Sequence, residues 1–393
     1  MWNTYFRIRA MAVTWLLRLL PRNQSVVYAG RGSALDLCRQ AARLGYRKIL
    51  VVTDAFLAGS GLLDGIKEAL HEHGVAFTVY DGVQPDPLFE QVEAGVAVLQ
   101  QAECEAVFAV GGGSVLDAAK LIALAVNNPG GLNDFDGIQK AKHAGLPLFA
   151  APTTAGTGSE TTPASVITEI GSKRKVVVAD GKLVPHFVAL DAELMKTMPP
   201  GVTAATGMDA LTHAVESWLS SAATDSTRDL AASALRGIFD YLPRAWRDGN
   251  DMEARDAMAM ASFEAGVAFG RTSVGYAHAI AHQLGRVCGT PHGTANAMVL
   301  PEVLETYGDA ARADLAELAR RIAPDTPGAD APWLIGRIRA LRSELGMPIK
   351  PEGLAMSDLD DIVRQARREA GEFYPVPRYL AAGEIRTIVA GLL

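Results

Sequence analysis

The chain is poor in cysteine, in excess positive charge and in long apolar runs, and each shortage removes a class of protein. Cys38, Cys104 and Cys288 are three cysteines in 393 residues, odd in number and with no C-x-x-C pair. This argues against a disulfide framework and a thiolate zinc site, and fits a reducing cytoplasm. The formal net charge is −7, from 37 Lys and Arg against 44 Asp and Glu. No basic excess exists to neutralise the phosphates of a nucleic acid. The N-terminal stretch AMAVTWLLRLLP falls short of the roughly 20 apolar residues that a membrane span needs. Arg18 also interrupts the uninterrupted core a signal peptide would want. Residues 1–24 are therefore expected to form an arm packed on the protein's own surface or on a partner subunit, with an amphipathic membrane-surface helix as the competing reading. Internal repeats and low-complexity tracts are lacking too.

What is present falls into two halves of different period. Strand-like SVVYAG, KILVVTD, VAFTVYD and AVFAV alternate with helical SALDLCRQAARLG, LLDGIKEALHEHG, EQVEAGVAVLQQA and SVLDAAKLIALAV. Continuous apolar strands between amphipathic helices predict a parallel sheet covered on both faces, which VVVAD and FVALD should complete. After MPP at 198–200 the chain turns rich in Ala, Leu and Arg at helical spacing. Helix starts are expected at Asp225 or Ser226, at Pro301 and after Ser357, with Pro243 near a helix end. The division predicted is an α/β domain over 25–199 and an all-helical domain over 200–393.

VFAVGGGSVLDAAK reads as strand, glycine turn and helix. Gly111, Gly112 and Gly113 let the backbone approach a phosphate closely and adopt positive φ. Ser114 can cap a helix whose free N–H groups favour a pyrophosphate, and Asp117 can orient the loop or simply occupy the first turn. The pattern is not G-x-G-x-x-G, so the domain is Rossmann-like rather than standard. Asp54 ends the KILVVTD strand, where it can accept a ribose's hydroxyls and repel a 2′-phosphate, favouring NAD over NADP; capping the next helix is the plain alternative. TTAGTGSE adds Thr153, Thr154, Thr157 and Ser159 in a second loop able to reach a phosphate, a ribose or a nicotinamide amide.

The sharpest signal lies in the helical half. Asp209 and His213 stand four residues apart, as do His278 and His282, and His292 follows in GTPHGTANA, read as a loop. One carboxylate with imidazoles suits a divalent first-row metal, and four ligands would leave one histidine for proton handling. Spacing does not say which histidine is spare. His71, His73, His143 and His186 sit in surface-like contexts, and Phe263 and Phe269 are candidates either for lining a site or for core packing.

GGGSVLDAAK, APTTAGTGSE, ALDAELMKTMPP, TGMDALTHAVE and AHAIAHQLGRVCGTPHGTANAMVLP together resemble the iron-containing (group III) alcohol dehydrogenase family, from about residue 25 onwards. The resemblance implies Asp209, His213, His278 and His292 as metal ligands and His282 as the non-ligand histidine near the nicotinamide. It further implies Gly112, Gly113 and Ser114 on the pyrophosphate, Thr153 and Thr154 lining the cofactor, and Asp54 on the adenosine ribose. Fe(II) is the metal it implies, with Zn(II) the alternative from ligand chemistry. A small alcohol or aldehyde is the implied substrate and a homodimer or larger homo-oligomer the implied assembly. Competing readings are a specialised reductase of maleylacetate or glycerol type, and a non-catalytic nucleotide binder. The N-terminal extension and FYPVPRYLAAGEI depart from the common pattern, and neither is expected to touch the chemistry.

Overall fold

The computed structural model describes residues 24–169 and 174–393, so the expected N-terminal arm lies outside the described residues. The chain divides between Met198 and Pro199.

In the first unit, six strands run in the order β1-β9-β6-β4-β2-β3, all parallel. These are β1 (Val26–Ala29), β2 (Lys48–Asp54), β3 (Ala76–Val83), β4 (Ala106–Gly111), β6 (Leu148–Pro152) and β9 (Phe187–Leu190). Helices α1 (Ser33–Arg43) and α3 (Asp64–Glu72) cover one face through Leu37, Cys38, Ile66 and Leu70, packed on Ile49, Val51, Phe108 and Phe149. The alternate residues Leu50, Val52, Val107 and Ala109 are buried on the other face. Helices α4 (Phe89–Gln101) and α5 (Gly113–Ala125) pack together, and α5 lies against β4 and β6. Burial on both faces is why β2 and β4 read as unbroken apolar runs.

Sequence order reverses across β2: the chain steps out to β3, then returns to β4 on the other side. The carboxyl ends of strands at such a switch point are where open α/β sheets take ligands. VVVAD does not complete this sheet. It forms β8 (Arg174–Ala179) of a separate sheet, antiparallel to β7 (Ala164–Glu169) and parallel to the short β5 (Gly137–Ile138).

The second unit is helical, as its composition predicts. Helix α6 (Pro200–Leu219) starts with proline at its first position, where a missing N–H costs nothing. From Gly207 to its end it is buried, and α7 (Asp225–Arg247), α8 (Met252–Thr272) and α10 (His292–Tyr307) pack against it. Helix α9 (Tyr276–Cys288) packs on α10 and on α13 (Leu359–Phe373). Helix α7 starts at Asp225 with Thr224 as its cap, and Pro243 lies one turn before its end, as expected. Two expected boundaries move. Ser357 sits in a 3-10 turn, Met356–Asp358, ahead of α13 and does not cap it. Pro301 lies inside α10 rather than opening a helix. The carbonyl that Pro301 leaves without its helical donor, that of Ala297, accepts from Arg342 Nη1 at 3.3 Å, which compensates the lost bond. Among the described residues no helix is long and apolar enough to cross a membrane.

Candidate metal centre and dinucleotide loops

In the α/β unit, Val52 pairs with Ala109, and Gly111 with Pro152. Asp54, Gly111 and Thr153 therefore emerge at the same edge from three neighbouring strands. Gly112 precedes α5 in extended backbone, with φ −76° and ψ −173°. None of Gly111, Gly112 and Gly113 has positive φ, so the expected need for a left-handed turn is not met. Their requirement is space: a Cβ on Gly111 would stand 2.5 Å from Val115 Cβ, and one on Gly113 2.9 Å from Thr157 Cγ2. Ser114 lies within the first turn of α5 and makes no cap; α5 starts without a side-chain cap, its first N–H groups open to a ligand.

Asp117 and Lys120, one turn apart on α5, join the two loops into one construction. Asp117 accepts from Ser159 Oγ at 2.5 Å and from the Val166 N–H at 2.9 Å. Buried Lys120 donates to the carbonyls of Thr162 at 3.0 Å and Ala164 at 2.7 Å, and to the Thr162 hydroxyl at 3.0 Å. Burial pushes the Lys120 amine down to about 8 against the opposing pull of Asp117. Asp117 thus holds the loop from beneath, and Lys120 was not singled out from sequence. Asp54 caps α2 (Ala55–Gly59) by accepting the Leu57 N–H on Oδ1 at 2.9 Å. The buried Thr154 Oγ1 has no protein partner, and Thr157 Oγ1 accepts from the Ser159 N–H at 3.3 Å.

In the helical unit, Asp209 comes from the buried face of α6, His278 from α9 and His292 from α10. One donor atom of each lies within 4.8 Å of the others. His292 is the first residue of α10, not a loop residue. Its approach depends on Gly293, where a Cβ would overlap the Ala205 carbonyl oxygen of α6. His292 Nε2 stands 3.3 Å and His278 Nε2 3.6 Å from Asp209 Oδ1. His213, an expected ligand, is not among these converging donors; it lies beside them, its ring stacked on Phe269 at 3.9 Å and on His278 at 4.6 Å. Phe269 thus packs on a candidate ligand. His282 stacks on His292 at 5.1 Å but is not among the converging donors.

Three supporting residues escaped the sequence. Glu216 accepts from the N–H groups of Gly275 at 2.7 Å and Ala277 at 2.8 Å, and lies 2.6 Å from His278 Nδ1. A carboxylate is an acceptor, so His278 Nδ1 carries a proton, and in the neutral ring Nε2 holds the lone pair. Among the described residues that buried Nε2 has no hydrogen-bond partner. Glu216 stands seven residues after Asp209 on the same helical face, a signal that was readable. Asn296 Nδ2 donates to Asp209 Oδ1 at 2.8 Å. Glu369 of α13 lies 2.6 Å from His282 Nδ1 and accepts the Tyr374 hydroxyl at 2.5 Å. Tyr374 belongs to FYPVPRYLAAGEI, so that stretch is linked to His282 through Glu369. Burial alone would raise the Asp209 carboxyl; His213, His292 and His278 outweigh it and hold it well below the usual carboxylate range. Burial alone would lower His278, but Glu216 and Asp209 bring it up to about 9, so a cation taking the Nε2 lone pair would displace a proton from it. A buried carboxylate, an orphaned imidazole lone pair and a second imidazole nitrogen fit a divalent first-row cation.

Comparison with known proteins identifies the family. A family model described as iron-containing alcohol dehydrogenase matches residues 24–192, and the C-terminal domain of the same family matches 203–391. The chain belongs to the iron-containing alcohol dehydrogenase family. As a member of that family it is an oxidoreductase acting on CH–OH groups. It is 42% identical over 274 residues to the NAD-dependent methanol dehydrogenase of Bacillus methanolicus, covering 70% of this chain and 72% of that one. It is 39% identical over 347 residues to alcohol dehydrogenase 4 of Schizosaccharomyces pombe, covering 87% and 81%. The solved structure of a 1,3-propanediol oxidoreductase superposes with a TM-score of 0.90 at 35% identity, covering 94% of this chain and 98% of that one.

Proposed function

We propose that this member of the family interconverts small primary alcohols and aldehydes, using NAD and Fe(II), with Asp209, His213, His278 and His292 as the metal ligands. The observation that carries the reading is the convergence of Asp209, His278 and His292, with His278 Nε2 facing Asp209 and making no hydrogen bond among the described residues. The same donor set accommodates Zn(II), and the family's description favours iron. When bound, the metal supplies Lewis-acid stabilisation of charge on the substrate oxygen, and the dinucleotide supplies the carbon that exchanges hydride.

The chain's own residues prepare that chemistry. Glu216 fixes His278 with a lone pair on Nε2, and Asn296 holds Asp209 Oδ1. His282, partly exposed and outside the converging donors, handles the proton. The bare N-terminus of α5 with Gly112, Gly113 and Ser114 receives the pyrophosphate, and Thr153, Thr154 and Thr157 line the cofactor's path. Asp54 keeps Oδ2 for the ribose while Oδ1 caps α2, which favours NAD over NADP. Three free cysteines, two of them buried, suit a reducing cytoplasm. Assembly as a homodimer or larger homo-oligomer belongs to the same proposal.

The test is NADH oxidation with a short aliphatic aldehyde by metal-stripped protein resupplied anaerobically with Fe(II) or Zn(II). Activity should return with iron in the natural chain and stay absent in Asp209→Asn. Near-normal turnover by Asp209→Asn would overturn the ligand set. Silence from protein that binds both iron and NADH would overturn the substrate class.

A further inference from the structure

We propose that Glu369 and Tyr374 are positioning residues that fix the tautomer and orientation of His282. The inference rests on the reading of His282 as the proton-handling group and goes beyond it.

His282 is anchored from a distant part of the chain. Glu369 Oε1 lies 2.6 Å from His282 Nδ1 and accepts the Tyr374 hydroxyl at 2.5 Å, while Oε2 accepts from Gln283 Nε2 at 3.1 Å. The Gln283 amide is itself oriented, because its oxygen accepts from Arg286 Nε at 3.0 Å and turns the NH2 group towards Glu369. Two donors besides His282, the Tyr374 hydroxyl and the Gln283 amide, suit the ionised form of Glu369, and an ionised carboxylate can only accept. Nδ1 of His282 must therefore carry its hydrogen, and in the neutral ring Nε2 holds the lone pair. Without this partner the ring could populate both tautomers, and one of them presents an N–H where a proton acceptor is needed. Burial pushes the Tyr374 phenol well above its ordinary value, so it remains a donor.

The segment carrying Tyr374 is braced independently. The Tyr374 carbonyl accepts from the Val376 N–H at 3.0 Å and from the Tyr379 hydroxyl at 3.1 Å. The next carbonyl, of Pro375, accepts from the Ser221 N–H at 2.8 Å just beyond α6. Arg378 adds bonds to the Tyr307 carbonyl at the end of α10 and to Glu384. The FYPVPRY stretch thus straps α13 beside the histidine helix and sets the height of the Tyr374 hydroxyl against Glu369.

The experiment compares Glu369→Ala, Glu369→Asp, Tyr374→Phe and His282→Ala in the metal-loaded enzyme. It reads kcat, KM for NADH, metal content and the 15N signals of labelled histidine. Glu369→Ala should lower kcat about 10- to 100-fold, the range typical of partners that orient a site histidine. Its KM and metal content should hold, and the His282 signals should move to a tautomer mixture. Glu369→Asp should restore part of kcat, and Tyr374→Phe should cost about 2- to 10-fold. The proposal is overturned if Glu369→Ala keeps kcat within about twofold with unaltered 15N signals, or loses metal in step with kcat. If Glu369→Ala does not fold, Tyr374→Phe decides by the same readouts. Undiminished kcat in His282→Ala would overturn the role of His282 itself. Reduced kcat there, beside normal Glu369→Ala, would overturn only the positioning.

Discussion

The two units build their candidate sites from opposite materials. In the α/β unit the groups proposed to meet the pyrophosphate are backbone N–H, glycine and threonine, and the charged residues Asp117 and Lys120 fasten the loops to each other. In the helical unit the charged and imidazole side chains face inwards, and a further layer of Glu216, Asn296 and Glu369 sets their orientation. On the proposed reading, the difference follows from what each would hold. A pyrophosphate is met by a row of small dipoles and needs proximity. A cation needs a few strong donors whose lone pairs are aimed, and aiming requires partners on the far side of each ring.

Separable construction means that substitutions should separate cleanly. Gly293→Ala should do most damage, because the new Cβ meets backbone rather than a movable side chain. Loss of metal binding and a stability decrease of at least about 1–3 kcal/mol are expected, read by metal analysis and denaturant titration. A variant that retains metal with normal stability would show that α10 can slide at no cost. Glu216→Gln should weaken metal affinity about 10- to 100-fold in chelator competition while NADH affinity stays put; parallel loss of both would break the separation. Asp117→Ala should act the other way. It frees the Ser159 hydroxyl and the Val166 N–H and removes an opposite charge near Lys120, for about 1–3 kcal/mol of stability and weaker NADH binding at full metal content. Gly112→Ala should be mildest, because its Cβ would lie 3.3 Å from Thr154 Cγ2. A shift in NADH affinity measured by fluorescence, with little change in melting, is the expected result.

The same contrast explains what the sequence made legible. The parallel sheet was readable because strands buried on both faces carry unbroken apolar runs, as in β2 and β4. VVVAD was misplaced because it has the same composition as a main-sheet strand, and only its pairing with β7 distinguishes it. Asp209 with His213 and His278 with His282 stood out as pairs at helical spacing, whereas His292 was read in a loop and the choice of ligands came only from the family resemblance. Spacing misleads within a pair, however: His278 faces Asp209 and Glu216, whereas His282, one turn on, faces Glu369. Glu216 shares a face with Asp209 and was within reach of the periodicity. Glu369 and Tyr374 were not, because no local pattern marks a residue that acts only after α13 has packed on α9. The glycines showed where close approach occurs, but their neighbours Val115, Thr154 and Thr157 supply the reason.

Glu216 joins two roles in one carboxylate: it terminates the first turn of α9 and holds the proton on His278 Nδ1. On the proposed ligand set, the start of that helix and the charge state of the centre become one thermodynamic unit. A cation that binds only the ordered arrangement adds to the stability of that turn by mass action. Fraying of the turn releases the imidazole in the same event. The amides of Gly275 and Ala277 then become gauges of occupancy. Their hydrogen exchange should slow as metal is titrated in and quicken under a chelator, reporting how full the centre is without any turnover at all.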